Sequence, residues 1–179
     1  GVFKDYQKQR VLTFIHPLTD LTGAGYNAYQ SMIAVGSGEV LGKGVGLGSQ
    51  SKLKFLPEYE TDFIFAAFSE EWGFVGDIIL LLLYGVVFWR IIIAAKTGAT
   101  NFETFFALGL ASIFLSHVLI HVGMNIGLLP VTGITMPFMS YGGSHLVAEF
   151  LGIGILMGQR AYAKVSGNVN VENEMVGVV

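Results

Sequence analysis

Between Trp72 and Gly158 the chain carries five charged side chains: Asp77, Arg90, Lys96, Glu103 and Glu149. So sparse a stretch does not suit an ordinary soluble domain, where about 25% of residues are charged. Residues 1–71 hold 14 of the 23 charges, 6 basic and 8 acidic, and the last four lie beyond residue 158. A polar, glycine-rich first part is therefore followed by a very apolar second part. The net charge of -3, with no basic cluster, excludes a nucleic-acid partner. The chain has no cysteine, so it has neither a disulfide framework nor a thiolate metal site. It opens on Gly1 with no initiator Met and no signal-peptide pattern, as a fragment would.

The apolar part divides into three spans of about the 20 residues that cross a hydrocarbon core, at about 72–93, 105–129 and 138–157. The expected fold is all-α and integral to the membrane. A loop over residues 1–60 with short interfacial helices precedes a membrane domain over 61–164. Its helices are expected over about 61–95, 103–129 and 138–163, and an irregular tail follows over 165–179. The Lys/Arg in short loops set orientation. Arg90 and Lys96, then Arg160 and Lys164, place those loops and the C-terminus in the cytoplasm. The uncharged turn Pro130–Pro137 and residues 1–60 then lie outside. The stretch 23–42 contains Asn27, Gln30 and Glu39, too polar to face lipid, and reads as a short interfacial helix around Tyr26–Val35.

Six glycines alternate through Gly36, Gly38, Gly42, Gly44, Gly46 and Gly48. The run is not a phosphate-binding loop. Ser37 occupies the first glycine place, Gly44 follows Lys43, and no strand precedes the run. It reads as a turn-rich loop with close backbone approach. Its N–H groups and nearby lysines facing an anion is the other reading. Beyond Pro57, Thr61 is a candidate N-cap, which puts Asp62 in the first turn of a helix running into the first span. There Asp62 either complements the helix dipole or stands as a carboxylate at the mouth of a membrane cavity. Ser69 shares its face, Glu70 lies about 80° round, and Glu71 is opposite.

In the second span His117, His121 and Asn125 recur at i, i+4, i+8 and form one polar stripe, which belongs on the bundle interior. A metal pair at this spacing lacks a third ligand. Glu149, inside the third span, needs a partner, for which His117 and His121 are candidates. The segment from Leu129 through Ser144 has two prolines and three glycines between apolar flanks. Irregular backbone at membrane depth survives only where protein or a wet cavity covers it, which predicts a broken start to the third helix.

These residues together resemble the SEDS family of integral-membrane peptidoglycan glycosyltransferases. The matching stretches are Asp5-Tyr-Gln-Lys-Gln-Arg-Val-Leu-Thr-Phe, Ile33-Ala-Val-Gly-Ser-Gly, Phe55-Leu-Pro-Glu with Thr61-Asp-Phe-Ile-Phe, Glu70-Glu-Trp-Gly-Phe-Val-Gly, and Leu129-Pro-Val-Thr-Gly through Pro137-Phe-Met-Ser-Tyr-Gly-Gly-Ser144. Their order and spacing cover the chain to about Lys164. The segments Gln7-Lys-Gln-Arg and Gly48-Ser-Gln-Ser bring it nearer the RodA-like elongation branch than the FtsW-like division branch. The family has ten transmembrane helices, and this chain resembles its fourth extracellular loop and last three helices, a part not expected to be active alone.

The resemblance implies a bacterial inner (plasma) membrane protein that polymerises lipid II into glycan strands for cell-wall elongation and cell shape. Asp62, in the Thr-Asp-Phe motif, would be the general base and undecaprenyl diphosphate the leaving group. Substrate-binding candidates are Lys43, Gln50, Lys52, Lys54, Glu58, Ser69, Glu70, Ser140, Gly142, Gly143 and Ser144. His117, His121, Asn125 and Glu149 would line the cavity. A divalent cation, Mg or Mn, is an expected cofactor with no assigned ligands. The expected partners are lipid II and the lipid-linked glycan, membrane lipid, and a class B penicillin-binding protein with transpeptidase activity. His121 and His145 stand where the family usually has Asn and Ser. A lipid-linked precursor flippase or transporter would use the same polar cavity and broken helix, and a scaffold for a partner is a third reading.

Overall fold

The computed structural model describes residues 24–48, 60–98 and 100–176, with side chains as far as residue 159. The expected site residues Gln50, Lys52, Lys54 and Glu58 lie outside the described residues, as do residues 5–14 and Phe55–Glu58 of the family-like stretches. Among the described residues four helices follow in order: α1 (Ala24–Ser37), α2 (Ile64–Lys96), α3 (Asn101–Asn125) and α4 (Gly143–Val176). No strand occurs among the described residues. Helices α2 and α3 are long and apolar enough to cross a membrane.

The helix ends follow local chemistry. Thr100 Oγ1 accepts the Glu103 N–H at 3.3 Å and caps the start of α3. Gly127, at φ 76°, ends α3. The Leu128 N–H reaches the Gly123 carbonyl at 2.8 Å and the Gly127 N–H reaches Met124 at 3.4 Å, the paired closure of a left-handed C-terminal cap. This stops α3 at Asn125, four residues before the expected end. Helix α4 starts at Gly143 rather than 138, leaving Phe138 and Met139 in the preceding turn, and it is not among the helices long and apolar enough to cross. Its backbone continues to Val176, through most of the stretch expected as an irregular tail, where no proline interrupts it.

Two compact units separate. One contains the described residues up to Leu83 with Ser116–Gly142, the other Tyr84–Leu115 with the chain from Gly143. In the second, the Leu110 side chain fills the place beside Gly152, and Thr104 Oγ1 donates to the Ala95 carbonyl at 3.1 Å. A cavity of about 280 Å³ there is lined by apolar side chains of α2 and α4 and by Arg90.

In the first unit Ala34 of α1 packs on Phe63 and Ala66, with Val35 and Val131 against them. The opening turns of α2 are enclosed: Phe65, Ala66, Ala67, Ser69 and Glu70 are all buried. From Phe74 to Trp89 most apolar side chains of the same helix are exposed, as on a helix meeting lipid or other membrane helices. Between these stretches α2 is broken. Gly73 sits at φ 66°, ψ -171°, outside helical geometry.

A break at Gly73 frees four backbone groups, the carbonyls of Glu70 and Glu71 and the N–H groups of Phe74 and Val75, which would otherwise pair with each other. The glycine-rich segment after α1 takes up all four. Lys43 N–H donates to the Glu70 carbonyl and Gly44 N–H to Glu71, both at 3.0 Å. Phe74 N–H donates to Glu39 at 3.0 Å and Val75 N–H to Val40 at 3.1 Å. The approach leaves no room for side chains. A Cβ on Gly38 would lie 2.0 Å from the Ser69 carbonyl oxygen, one on Gly42 would lie 2.2 Å from that of Glu71, and one on Gly73 would lie 2.3 Å from the Gly42 nitrogen. The segment Gly38–Gly44 is thus a backbone strap, and its Lys43 and Gly44 N–H groups are spent on carbonyls. The Lys43 ammonium adds an ion pair to Glu70 at 2.7 Å, with the Glu70 side chain 0% exposed.

Gly42→Ala should lower stability by at least about 3 kcal/mol, since a left-handed residue with a Cβ costs about 1–2 kcal/mol and each displaced backbone bond about 1–3 more. Gly36→Ala, with open space around its Cβ, should leave stability unchanged or raise it. Thermal unfolding of the full-length protein in detergent compares the two, and equal midpoints would refute the strap. Lys43→Met removes the cation from a buried carboxylate and should cost up to about 3–5 kcal/mol. Adding Glu70→Gln should recover most of that loss in the same measurement.

Candidate active site

Asp62 lies in the turn over residues 60–63 that leads into α2. The helix begins at Ile64, so Asp62 stands just before the first turn instead of inside it, and Thr61 is not the cap. The Phe63 carbonyl accepts the first helical bond, from the Ala67 N–H at 3.1 Å. The turn is fixed by its carbonyls. Glu60 accepts from the Tyr141 N–H at 2.8 Å, Thr61 from the Ser140 hydroxyl at 2.8 Å, and Asp62 from the Asn125 amide at 3.2 Å. Three consecutive carbonyls are therefore held by groups some 60 to 80 residues away in sequence. Ser140 is itself oriented, because its oxygen accepts the Met136 N–H at 2.8 Å while its proton goes to Thr61.

The irregular segment 130–142 supplies the other wall. Gly133 takes φ 74°, and a Cβ there would lie 3.3 Å from Asp62 Oδ2. The half-buried carboxylate thus rests against a glycine backbone. Phe138 also takes a positive φ, 60°, which a bulky residue adopts at a cost of about 1–2 kcal/mol. Such conformations gather where surrounding structure holds a site open. The expected broken start to the last helix is this segment.

The polar stripe of α3 faces the same place. His121 and Asn125 are fully buried. His121 Nδ1 lies 2.7 Å from the Ile134 carbonyl. A carbonyl only accepts, so Nδ1 carries a proton. Asn125 Nδ2 donates to both the Asp62 and His121 carbonyls. His121 Nε2 and Asn125 Oδ1 are buried with no hydrogen-bond partner among the described residues. Ser31 of α1 has its hydroxyl 2.8 Å from the Ala28 carbonyl and 3.2 Å from that of Asn125, one proton serving both. His117 continues the stripe one turn earlier and is half-buried.

The other expected residues group differently. Ser69 and Glu70 serve the α2 break. The Ser69 hydroxyl lies 2.9 Å from the Phe65 carbonyl and 2.8 Å from Asp77 Oδ1, and so bridges the two sides of Gly73, while Glu70 pairs with Lys43. Gly142 is half-buried at the end of the irregular segment, and Gly143 and Ser144 open α4 on exposed positions. Glu149 is 3% exposed and has His145 Nε2 2.8 Å from Oε1, one helical turn back. The i,i+4 spacing on one helix accounts for that pairing. Ser31, Asp77, Gly133 and the Ile134 carbonyl were not picked out as site groups. A glycine between Thr132 and Ile134 was the one available sign, since a positive φ there admits little else. Among the described residues no three His, Asp or Glu side chains come together as metal ligands.

The family model for FtsW, RodA and SpoVE, described as a cell cycle protein, matches residues 2–164. Peptidoglycan glycosyltransferase MrdB of Escherichia coli K12 is 46% identical over 161 residues, 90% of this chain and 44% of that one. Stage V sporulation protein E of Bacillus subtilis is 42% identical over 159 residues, 89% and 43% of the two chains. A structure described as showing the structural coordination of polymerization and crosslinking by a peptidoglycan synthase complex matches with a TM-score of 0.65 and 31% identity, over 86% of this chain and 41% of that one. A mutant of the rod shape determining protein RodA from Thermus thermophilus matches with a TM-score of 0.52 and 27% identity, over 87% and 57%. The chain spans a little under half the length of these curated relatives. With nearly its whole length matched and an all-helical fold shared with solved relatives, the chain belongs to the FtsW/RodA/SpoVE family of membrane proteins.

Proposed function

We propose that this chain carries the catalytic carboxylate of a peptidoglycan glycosyltransferase, with Asp62 as general base. The observation that supports it most is the triple anchoring of residues 60–62, which presents one half-buried carboxylate beside the buried His121 and Asn125 of α3. A general base has to be held within hydrogen-bond reach of the proton it takes, and this turn has little freedom to drift.

The chemistry asks for little else. The 4-hydroxyl of the acceptor sugar on lipid II loses its proton to Asp62 as its oxygen bonds to the anomeric carbon of the lipid-linked glycan. The bond from that carbon to undecaprenyl diphosphate breaks with inversion, and the diphosphate takes the electron pair. Because the leaving group is already a stable anion, the acid partner of a two-carboxylate hydrolase is unnecessary. Positive charge near the diphosphate helps instead. The Lys43 ammonium is engaged with Glu70, and Lys52 and Lys54, a few residues on in the sequence, are further candidates for that role. A Mg or Mn ion can bind through diphosphate oxygens and one carboxylate, so the absence of a three-ligand cluster among the described residues leaves such an ion compatible. In this reading the protein lies in the bacterial inner membrane with residues 1–60 outside and the C-terminus in the cytoplasm. It elongates glycan for cell shape and works beside a class B penicillin-binding protein. The synthase complex described for one structural relative supports that pairing.

Asp62→Asn in the full-length protein should lower polymerisation of lipid II by about 10²–10⁴-fold, while detergent-solubilised protein keeps its elution profile and unfolding midpoint. Gel analysis of glycan strands reads the outcome. Undiminished strands from the variant would overturn the assignment, and lipid movement across vesicles without polymer would point to a transporter.

A further inference from the structure

We propose that His121 is a positioning residue for Asp62, acting through the Ile134 carbonyl. The inference rests on Asp62 being the base. Residues 130–135 have no regular structure, and the contacts that tie them to α3 include the His121–Ile134 bond at 2.7 Å and a weak contact from Thr132 Oγ1 to Met124 Sδ at 3.8 Å. The Gly133 backbone, one residue before Ile134, backs the Asp62 carboxylate so closely that a Cβ would stand 3.3 Å from Oδ2. Fixing the Ile134 carbonyl therefore fixes the wall against which the carboxylate sits. The anchor is rigid, since the His121 ring is fully buried on a regular helix, and one turn on Asn125 holds the Asp62 carbonyl from the same face. The two residues grip the opposite sides of one contact. Asn125 sets the backbone of Asp62, and His121 sets the surface behind its carboxylate. The grip depends on the Nδ1 proton alone. Nε2 has no hydrogen-bond partner among the described residues and can be lost without loosening it.

That division yields a test in which both variants stay polar. In His121→Asn the amide nitrogen takes the place of Nδ1 and can still donate to Ile134. In His121→Gln the amide reaches the place of Nε2, and the donor to Ile134 is lost. With full-length protein and lipid II, the Asn variant should keep kcat within about 3-fold of the parent. The Gln variant should lose about 10–100-fold in kcat with KM nearly unchanged, as a shift of about 1 Å in a reacting group does. Equal kcat in the two variants, or the reverse order, overturns the positioning role. A loss confined to KM overturns it as well, because the residue would then be binding substrate. Asp62→Asn, assayed beside them, separates the two claims. If that variant remains active, the base assignment fails. If it is inactive while His121→Gln is fully active, only the positioning inference fails.

Discussion

Four backbone groups at one helix break govern the first unit. A helix that stops and restarts leaves carbonyl and N–H groups without their helical partners, and each left unpaired when buried costs about 1–3 kcal/mol. At Gly73 all four are paired by the strap through Glu39–Gly44. The pairing is mutual. The strap has no regular structure of its own beyond one turn, so the break gives it a shape, and it gives the break its hydrogen bonds. Three glycines without room for a Cβ make the arrangement sensitive to single methyl groups.

The break explains why one helix has two characters. Before Gly73 the chain is enclosed by α1, the strap and the segment 130–142, and it carries Ser69 and Glu70 in buried positions. After Gly73 it presents Val75, Ile78, Leu82 and Val86 outward. Lys43 reaches Glu70 from the strap, and the Ser69 hydroxyl meets Asp77 from across the break. The opening turn of α2 is thereby tied down at its far end, which leaves residues 60–62 to be set by α3 and by Ser140 and Tyr141.

Much of this frame is legible in the sequence, for physical reasons that also mark where legibility stops. The two long apolar runs stand out because lipid tolerates so little charge, and the stripe His117, His121, Asn125 stands out because polar groups on such a helix must find a protein-facing side. The irregular stretch after Pro130 is equally visible from its prolines and glycines. The Gly73 break is not. Its flanks, Glu70-Glu-Trp and Phe74-Val-Gly, read as one continuous helix, and the signal lies thirty residues earlier in a glycine run whose partner no spacing rule names. For the same reason the start of α2 was placed at Asp62: Thr61 has the chemistry of a cap, but its carbonyl and that of Asp62 are committed to Ser140 and Asn125, so regular helix begins two residues later.

The candidate site is a rigid backbone held by committed donors. The carbonyls of residues 60–62 each accept a hydrogen bond, so the turn gains nothing by moving. The donors of His121 and Asn125 are spent on backbone carbonyls: the histidine Nδ1 proton on Ile134, the two amide protons on Asp62 and His121. What α3 contributes is therefore a set of donors aimed at the backbone on both sides of Asp62. One carboxylate is thereby held against one glycine, an arrangement expected where position decides rate.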